Sequence, residues 1–75
     1  MAAIQHHTRT EVGRAVAVAA LLAGVEMGEL YRAIGVSRES FRLRRIGLRR
    51  WQPGELEKIA DRLGVTVEFL EGGAG

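Results

Sequence analysis

The fold is decided by residues 26–51, EMGELYRAIGVSRESFRLRRIGLRRW. Leu30 and Ile34 are four residues apart, so they lie on one face of a helix. Gly35 follows directly, and glycine adopts the left-handed backbone conformation that ends a helix at little cost. Phe41 then supplies the inward anchor of a second helical segment. The stretch therefore predicts two short helices that are joined by a tight turn and share an apolar face.

Helical spacing extends over the rest of the chain, and no alternating run is long enough for a strand. Thr8 and Glu11 have the spacing of a capping box, and Pro53 favours the first position of a helix. Ser37 and Thr66 are candidate N-caps for two further helices. We expect an all-α chain of five helices, over about 9–23, 26–34, 38 to 45 or 46, 53–63 and a short last helix after Thr66. The predicted inward residues are Val12, Ala15, Val16, Ala19 and Leu22 or Ala23 in the first helix, Leu56, Ile59, Ala60 and Leu63 in the fourth, and Phe69 and Leu70 in the fifth.

Length and composition favour one small domain. The 75 residues include no cysteine, which excludes disulfides and thiolate metal sites. We expect a domain over 9–71, with a flexible arm before it and a flexible tail over 72–75. No secretory signal is present, and the most apolar window, 12–25, is shorter than the about 20 residues that cross a bilayer, so a cytoplasmic location is predicted. His6 and His7 lack a third ligand, so neither a metal nor a cofactor is expected.

Charge is concentrated in one segment. Between residues 37 and 52 there are six arginines and one acidic residue, a local charge of +5 in a chain whose net charge is +2. The rest of the chain is therefore mildly acidic. A basic segment on such a domain is typical of proteins that bind a polyanion, although a solvated arginine-rich surface is the alternative.

The same segment has a helical arrangement of its polar residues. With Phe41 inward, the outward positions near the start of the third helix are Arg38, Glu39, Arg42 and either Leu43 or Arg45. A helix-turn-helix has this arrangement, because the first residues of its second helix contact base edges in the major groove.

Two stretches resemble a known family: IGVSRESF at 34–41 and RRWQPGELEKIADRLGVTVEFLEG at 49–72. They are similar to the lambda-repressor-like, Cro-type helix-turn-helix proteins, also called the XRE family. The resemblance covers about residues 12–72 and implies a compact five-helix domain that binds duplex DNA. It further implies a bacterial or phage transcriptional regulator, a repressor that occupies its operator as a homodimer on an inverted repeat. For the dimer surface we expect Val67, Phe69 and Leu70.

The resemblance also implies individual DNA contacts. Arginine can donate two hydrogen bonds to guanine, glutamate can accept one from cytosine, and an apolar side chain can contact the thymine methyl group. The implied base contacts are Arg38, Glu39, Arg42 and Leu43, and the implied phosphate contacts are Met27, Ser37, Ser40, Arg45, Arg49 and Arg50.

Some residues depart from the family pattern. Met27 stands where glutamine is frequent, Glu26 where a capping serine or threonine is usual, and Tyr31 where a small residue is usual. Arg44 stands where a second inward apolar residue is expected, so both an inward and an outward orientation are open. Trp51 is expected to pack in the core.

Two alternatives belong to other functional classes. An antitoxin-type regulator would bind a protein partner as well as DNA, and an excisionase-like protein would carry a β-hairpin wing after its recognition helix. No nucleophile–base pair, glycine-rich phosphate loop or paired carboxylates occur in the sequence, so no enzymatic activity is expected.

Overall fold

Five helical segments make up the fold: α1 (Arg9–Ala23), α2 (Met27–Ile34), α3 (Arg38–Arg45), α4 (Glu55–Leu63) and a short π-type segment, α5 (Phe69–Gly73). The computed structural model describes residues 9–73, and the side chains of residues 10–72. No strand occurs in this part of the chain, which confirms the all-α class. The bounds predicted for the first helix are also confirmed. The predicted cap Thr8, His6, His7, the N-terminal arm and the last two residues of the tail lie outside the described residues.

The core lies where α1 packs across α3, α4 and α5, while α2 packs against α3 and α4. Removal of apolar surface from water at this junction is the main driving force for folding of so small a chain. The largest fully buried side chains are Phe41, Leu30, Ile59, Leu70 and Val16, contributed by five different helices.

Gly13 allows α1 to approach α3 closely. A Cβ atom at this position would lie 1.7 Å from the carbonyl oxygen of Arg45, so the two backbones are in direct contact. A side chain here would force the helices apart, because that oxygen belongs to the backbone and cannot rotate away. The orientation of α3 on the domain therefore depends on a residue in the N-terminal half of α1.

The inward stripe predicted for α1 is wrong at its end. Leu22 is 80% exposed and Ala23 is exposed, whereas Ala20 is buried at 1%. Leu22 follows Val18 by four residues and lies on the same exposed face. Ala23 is the last residue of α1, where the chain leaves the core through Gly24.

The fourth helix begins at Glu55, not at Pro53 as predicted. Pro53 and Gly54 instead occupy the middle of a tight turn, in which the Glu55 amide donates to the Gln52 carbonyl at 3.1 Å. Gly54 has φ 86° and ψ −15°, the values of the third residue of a type II turn, which favours the sequence Pro-Gly. Pro53 therefore belongs to this turn and not to α4.

The last segment is capped as predicted, because the Thr66 Oγ1 atom accepts a hydrogen bond from the Phe69 amide at 3.0 Å. Leu70 is fully buried, so its assignment to a dimer surface is wrong. The segment continues to Gly73, past the predicted domain end at residue 71, by way of Gly72 at φ 127°.

Within residues 9–73 no helix combines the length and the apolar content that a membrane crossing requires.

Candidate nucleic-acid interface

The turn between α2 and α3 is held by backbone geometry. Gly35 has φ 75°, and its amide donates to the Arg32 carbonyl at 3.2 Å, while the Val36 amide donates to the Tyr31 carbonyl at 3.1 Å. These two bonds satisfy carbonyls that the end of a helix leaves unpaired. Ser37 then starts α3, because its Oγ atom accepts from the Ser40 amide at 3.0 Å. The predicted stop and the predicted cap are both confirmed.

Aromatic residues anchor this helix pair from the inside. Phe41 is 2% exposed and lies between Tyr31, with ring centroids 6.1 Å apart, and Trp51, at 5.8 Å in an edge-to-face arrangement. Tyr31 and Trp51 are half-buried and pack against the core, which confirms the packing role predicted for Trp51. The cluster joins α2, α3 and the segment before α4, so it fixes the depth at which α3 sits.

A buried ion pair fixes the rotation of α3. The Arg44 Nε and Nη2 atoms donate to the two Glu55 carboxylate oxygens at 2.8 and 3.2 Å, and the residues are only 6% and 9% exposed. Arg44 Nη1 also donates to the carbonyl and the hydroxyl oxygen of Ser40, and Glu55 Oε1 accepts from the Gln52 amide at 2.9 Å. Every charged group of the pair is thus hydrogen-bonded, as burial requires. Arg44 therefore faces inward.

The exposed face of α3 carries Arg38, Glu39 and Arg42. The Arg42 Nε atom donates to Glu39 Oε1 at 3.1 Å, and Nη2 donates to Glu39 Oε2 at 2.9 Å. The hydrogen bond from Arg42 holds the pKa of the Glu39 carboxyl below its ordinary value. The positive charges of Arg42, Arg38 and Arg49 lower this pKa further. The same contact raises the pKa of Arg42. Leu43 is half-buried.

The loop after α3 folds back on the helix. The amides of Leu48 and Arg49 both donate to the Leu43 carbonyl, at 2.9 and 3.2 Å. Arg49 and Arg50 are exposed, and Arg49 Nη1 lies 3.4 Å from the Ser40 hydroxyl oxygen. The loop therefore brings the Arg49 guanidinium beside Ser40, in the N-terminal half of α3.

The other predicted phosphate contacts have partners within the protein. Ser37 and Ser40 hydroxyl oxygens accept hydrogen bonds, which leaves each hydroxyl proton able to donate to an anion. Arg45 is half-buried, with its guanidinium carbon 5.9 Å from the centre of the Phe41 ring. The Met27 side chain packs against the core, so only its backbone could face a phosphate.

Glu55 and Gly13 are the residues that sequence reasoning missed. By sequence, Glu55 is an acidic residue in the first turn of a helix, where it complements the helix dipole; in the fold it is also the counter-ion of Arg44. The sequence does contain one indication that Arg44 faces inward. Arg44 follows the inward Phe41 by three residues and so shares its helix face. For the contact of Gly13 with the Arg45 backbone the sequence offers no signal.

Neither a protein-family model, nor a curated protein, nor a solved structure matches this chain. The case for a function therefore depends on the residues and contacts described above.

Proposed function

We propose that this chain is a lambda-repressor-like, Cro-type helix-turn-helix protein that binds duplex DNA through α3 and regulates transcription, acting as a repressor by occupying its operator. The observation that carries this proposal is the division of residues on α3. Phe41 and Arg44 are buried, while Arg38, Glu39 and Arg42 are exposed to solvent. A helix with this division presents its first two turns to a groove while its inner face stays packed.

The distribution of cations supports a polyanion as the partner. Arg44 is neutralised by Glu55, so it adds little to the outward field. The exposed arginines Arg38, Arg42, Arg49 and Arg50 are countered within this segment by Glu39 alone. Exposed arginines in the loop that follows a recognition helix are suited to phosphates, while the helix itself contacts base edges.

The primary test is selection of bound sequences from a random duplex library, with the purified chain at near-physiological salt. We expect a motif, and its two-fold symmetry would give the spacing of two half-sites. Arg38→Ala should weaken binding to the selected site much more than binding to random DNA. Recovery of no motif, or equal loss on both DNAs, would contradict sequence-specific recognition.

A salt titration tests the phosphate contacts separately. Each contact contributes about −0.9 to the slope of log K against log salt, so Arg49→Ala combined with Arg50→Ala should reduce the slope by about 1.8 on any sequence. Lys58→Ala combined with Arg62→Ala is the matched control, because both residues are exposed on α4. If the two double variants behave alike, Arg49 and Arg50 do not contact phosphate.

A second candidate function is favoured by one observation, the exposed apolar end of α1. Leu21 and Leu22 are 79% and 80% exposed, and Val18 on the same face is 46% exposed. Such a face suits a protein partner, as in an antitoxin-type regulator. Leu21→Glu with Leu22→Glu should abolish binding of that partner and leave DNA binding by α3 intact. The excisionase-like alternative has no such support, because residues 46–54 form bends and turns in place of a β-hairpin.

A further inference from the structure

We infer that Glu39 is a positioning residue, which orients Arg42 to bind a guanine, and that Glu39 itself does not select a base. This inference rests on the proposed function and deepens it, because it assigns the base that α3 recognises at one position. It also replaces the sequence-based expectation that Glu39 accepts a hydrogen bond from cytosine.

The geometry of the pair leaves the correct donors free. A guanidinium has five N–H donors. Two of them, on the edge that includes Nε, donate to the Glu39 carboxylate: Nε at 3.1 Å and Nη2 at 2.9 Å. The other edge still offers one N–H from Nη1 and one from Nη2, parallel and in one plane. The Arg42 guanidinium donates no other hydrogen bond within the described part of the chain. Guanine O6 and N7 accept from such a parallel pair.

The contrast with the second arginine–glutamate pair shows what is particular to Arg42. Arg44 has the same two bonds to Glu55, but its Nη1 atom also donates to Ser40, and the whole side chain is buried. The Arg42 and Glu39 side chains are instead 50% and 65% exposed, one turn into α3. Arg42 is thus held at one edge and open at the other.

Pre-orientation matters here because arginine is a long side chain that loses much conformational freedom on binding. An arginine already held by a neighbouring carboxylate loses less, so more of the guanine contact appears as affinity. The carboxylate has an electrostatic disadvantage near phosphates, which the surrounding Arg38, Arg42 and Arg49 offset. Glu39 should therefore raise base discrimination without raising affinity for random DNA.

The experiment compares the wild-type chain with Glu39→Ala, Glu39→Gln and Arg42→Ala on duplexes that vary one base pair at a time from the selected site. The position at which Arg42→Ala abolishes a preference identifies the base pair concerned. There the wild-type chain should prefer guanine by about 5- to 150-fold, the range of one good bidentate contact. Replacement of that guanine by 7-deazaguanine should remove most of this preference.

Glu39→Ala should reduce the preference at that same base pair by about fivefold or more, and affinity for random DNA should be unchanged or higher. Glu39→Gln should give an intermediate preference, because an amide oxygen still accepts one bond from Arg42. Glu57→Ala, which removes an exposed acid from α4, is the matched control and should leave the preference intact. Thermal unfolding of each variant confirms that the fold is retained.

Two outcomes would overturn the inference alone. In the first, Glu39→Ala changes the preference at a different base pair, which would mean that Glu39 contacts a base directly. In the second, the guanine preference survives in Glu39→Ala undiminished. If the wild-type chain selects no motif at all, the proposed function fails, and this inference fails with it.

Discussion

The buried pair between Arg44 and Glu55 offers the sharpest test of the fold. Replacement of Arg44 by Met keeps a side chain of similar reach but leaves the Glu55 carboxylate in the interior with one remaining donor, the Gln52 amide at 2.9 Å. Removal of one partner from a buried ion pair costs about 3–5 kcal/mol, because the other charge is left uncompensated. A chain of 75 residues has only about 4–11 kcal/mol of stability in total. We therefore expect Arg44→Met to lose between about a quarter and all of the free energy of unfolding.

The assay is thermal and urea unfolding followed by circular dichroism. For a domain of this size, 1 kcal/mol corresponds to about 4–8 °C, so Tm should fall by roughly 12 to 40 °C. Arg62→Met is the matched control: Arg62 lies 3.7 Å from Glu29, both side chains are about half exposed, and such pairs contribute no more than about 1 kcal/mol. The combined variant Arg44→Met/Glu55→Leu removes both charges and should recover wild-type stability or exceed it.

Two results would refute this reasoning. If Arg44→Met and Arg62→Met cost the same, the Arg44 pair is solvated in solution and does not fix the rotation of α3. If the combined variant is no more stable than Arg44→Met alone, the loss comes from packing and from the bonds to Ser40, not from an uncompensated charge.

Three further predictions concern single residues. Gly13→Ala should destabilise the chain by about 2 kcal/mol or more, since its Cβ would lie 1.7 Å from the Arg45 carbonyl oxygen. Ser37→Ala should lower the free energy of unfolding by about 1 kcal/mol through loss of the cap of α3. The pKa of Glu39, measured by NMR titration, should lie below its ordinary value and should rise towards it in Arg42→Ala. Because the folded pKa is lowered, any stability from this contact is present above the ordinary value and is lost as the pH falls through the lowered one.

Controls are available for each of these variants. Gly28→Ala places a Cβ atom against only the flexible end of Arg32, at 3.1 Å, and should be neutral or slightly stabilising because alanine favours helices. If Gly13→Ala is equally harmless, the close approach of α1 and α3 is absent in solution. Ser37→Asp keeps a side-chain oxygen that can accept from the Ser40 amide, so a loss equal to that in Ser37→Ala would mean that the cap of α3 does not cause the effect. An unchanged Glu39 pKa in Arg42→Ala would mean that the pair is not formed.

The parts of the fold that the sequence predicts are those set by short-range chemistry. Gly35 ends α2 at φ 75°, a conformation that residues with a side chain adopt poorly. Ser37 caps α3 by accepting a hydrogen bond from the Ser40 amide, three residues away. Phe41 is inward because it is the largest apolar side chain of α3, and its burial removes the most apolar surface from water. These signals lie within a few residues of the features that they determine, so the two short helices and the turn between them could be predicted.

The parts that were predicted wrongly depend on competition or on distant partners. Proline favours both the first position of a helix and the second position of a type II turn. At Pro53 the turn forms, because Gly54 adopts the positive φ that this turn requires. Leu22 is apolar, and its spacing is close to that of the inward stripe predicted for α1. In the fold, Ala20 on the other side of the helix faces the core instead. The orientation of Arg44 depends on an acid eleven residues later, and no periodicity within α3 indicates that partner.

The orientation of Arg44 also decides how the basic segment can act. By sequence, six arginines contribute equally to a local charge of +5. In the fold they divide by environment: Arg44 is neutralised by Glu55, and Arg45 lies half-buried against Phe41. Arg38, Arg42, Arg49 and Arg50 are left to face solvent. Because a salt slope counts the cations that displace counter-ions, an arginine paired inside the protein should not contribute to it. If α3 binds DNA as proposed, a variant that frees α3 to rotate should change the selected sequence without altering any exposed residue, so the Arg44 pair and sequence preference should be lost together.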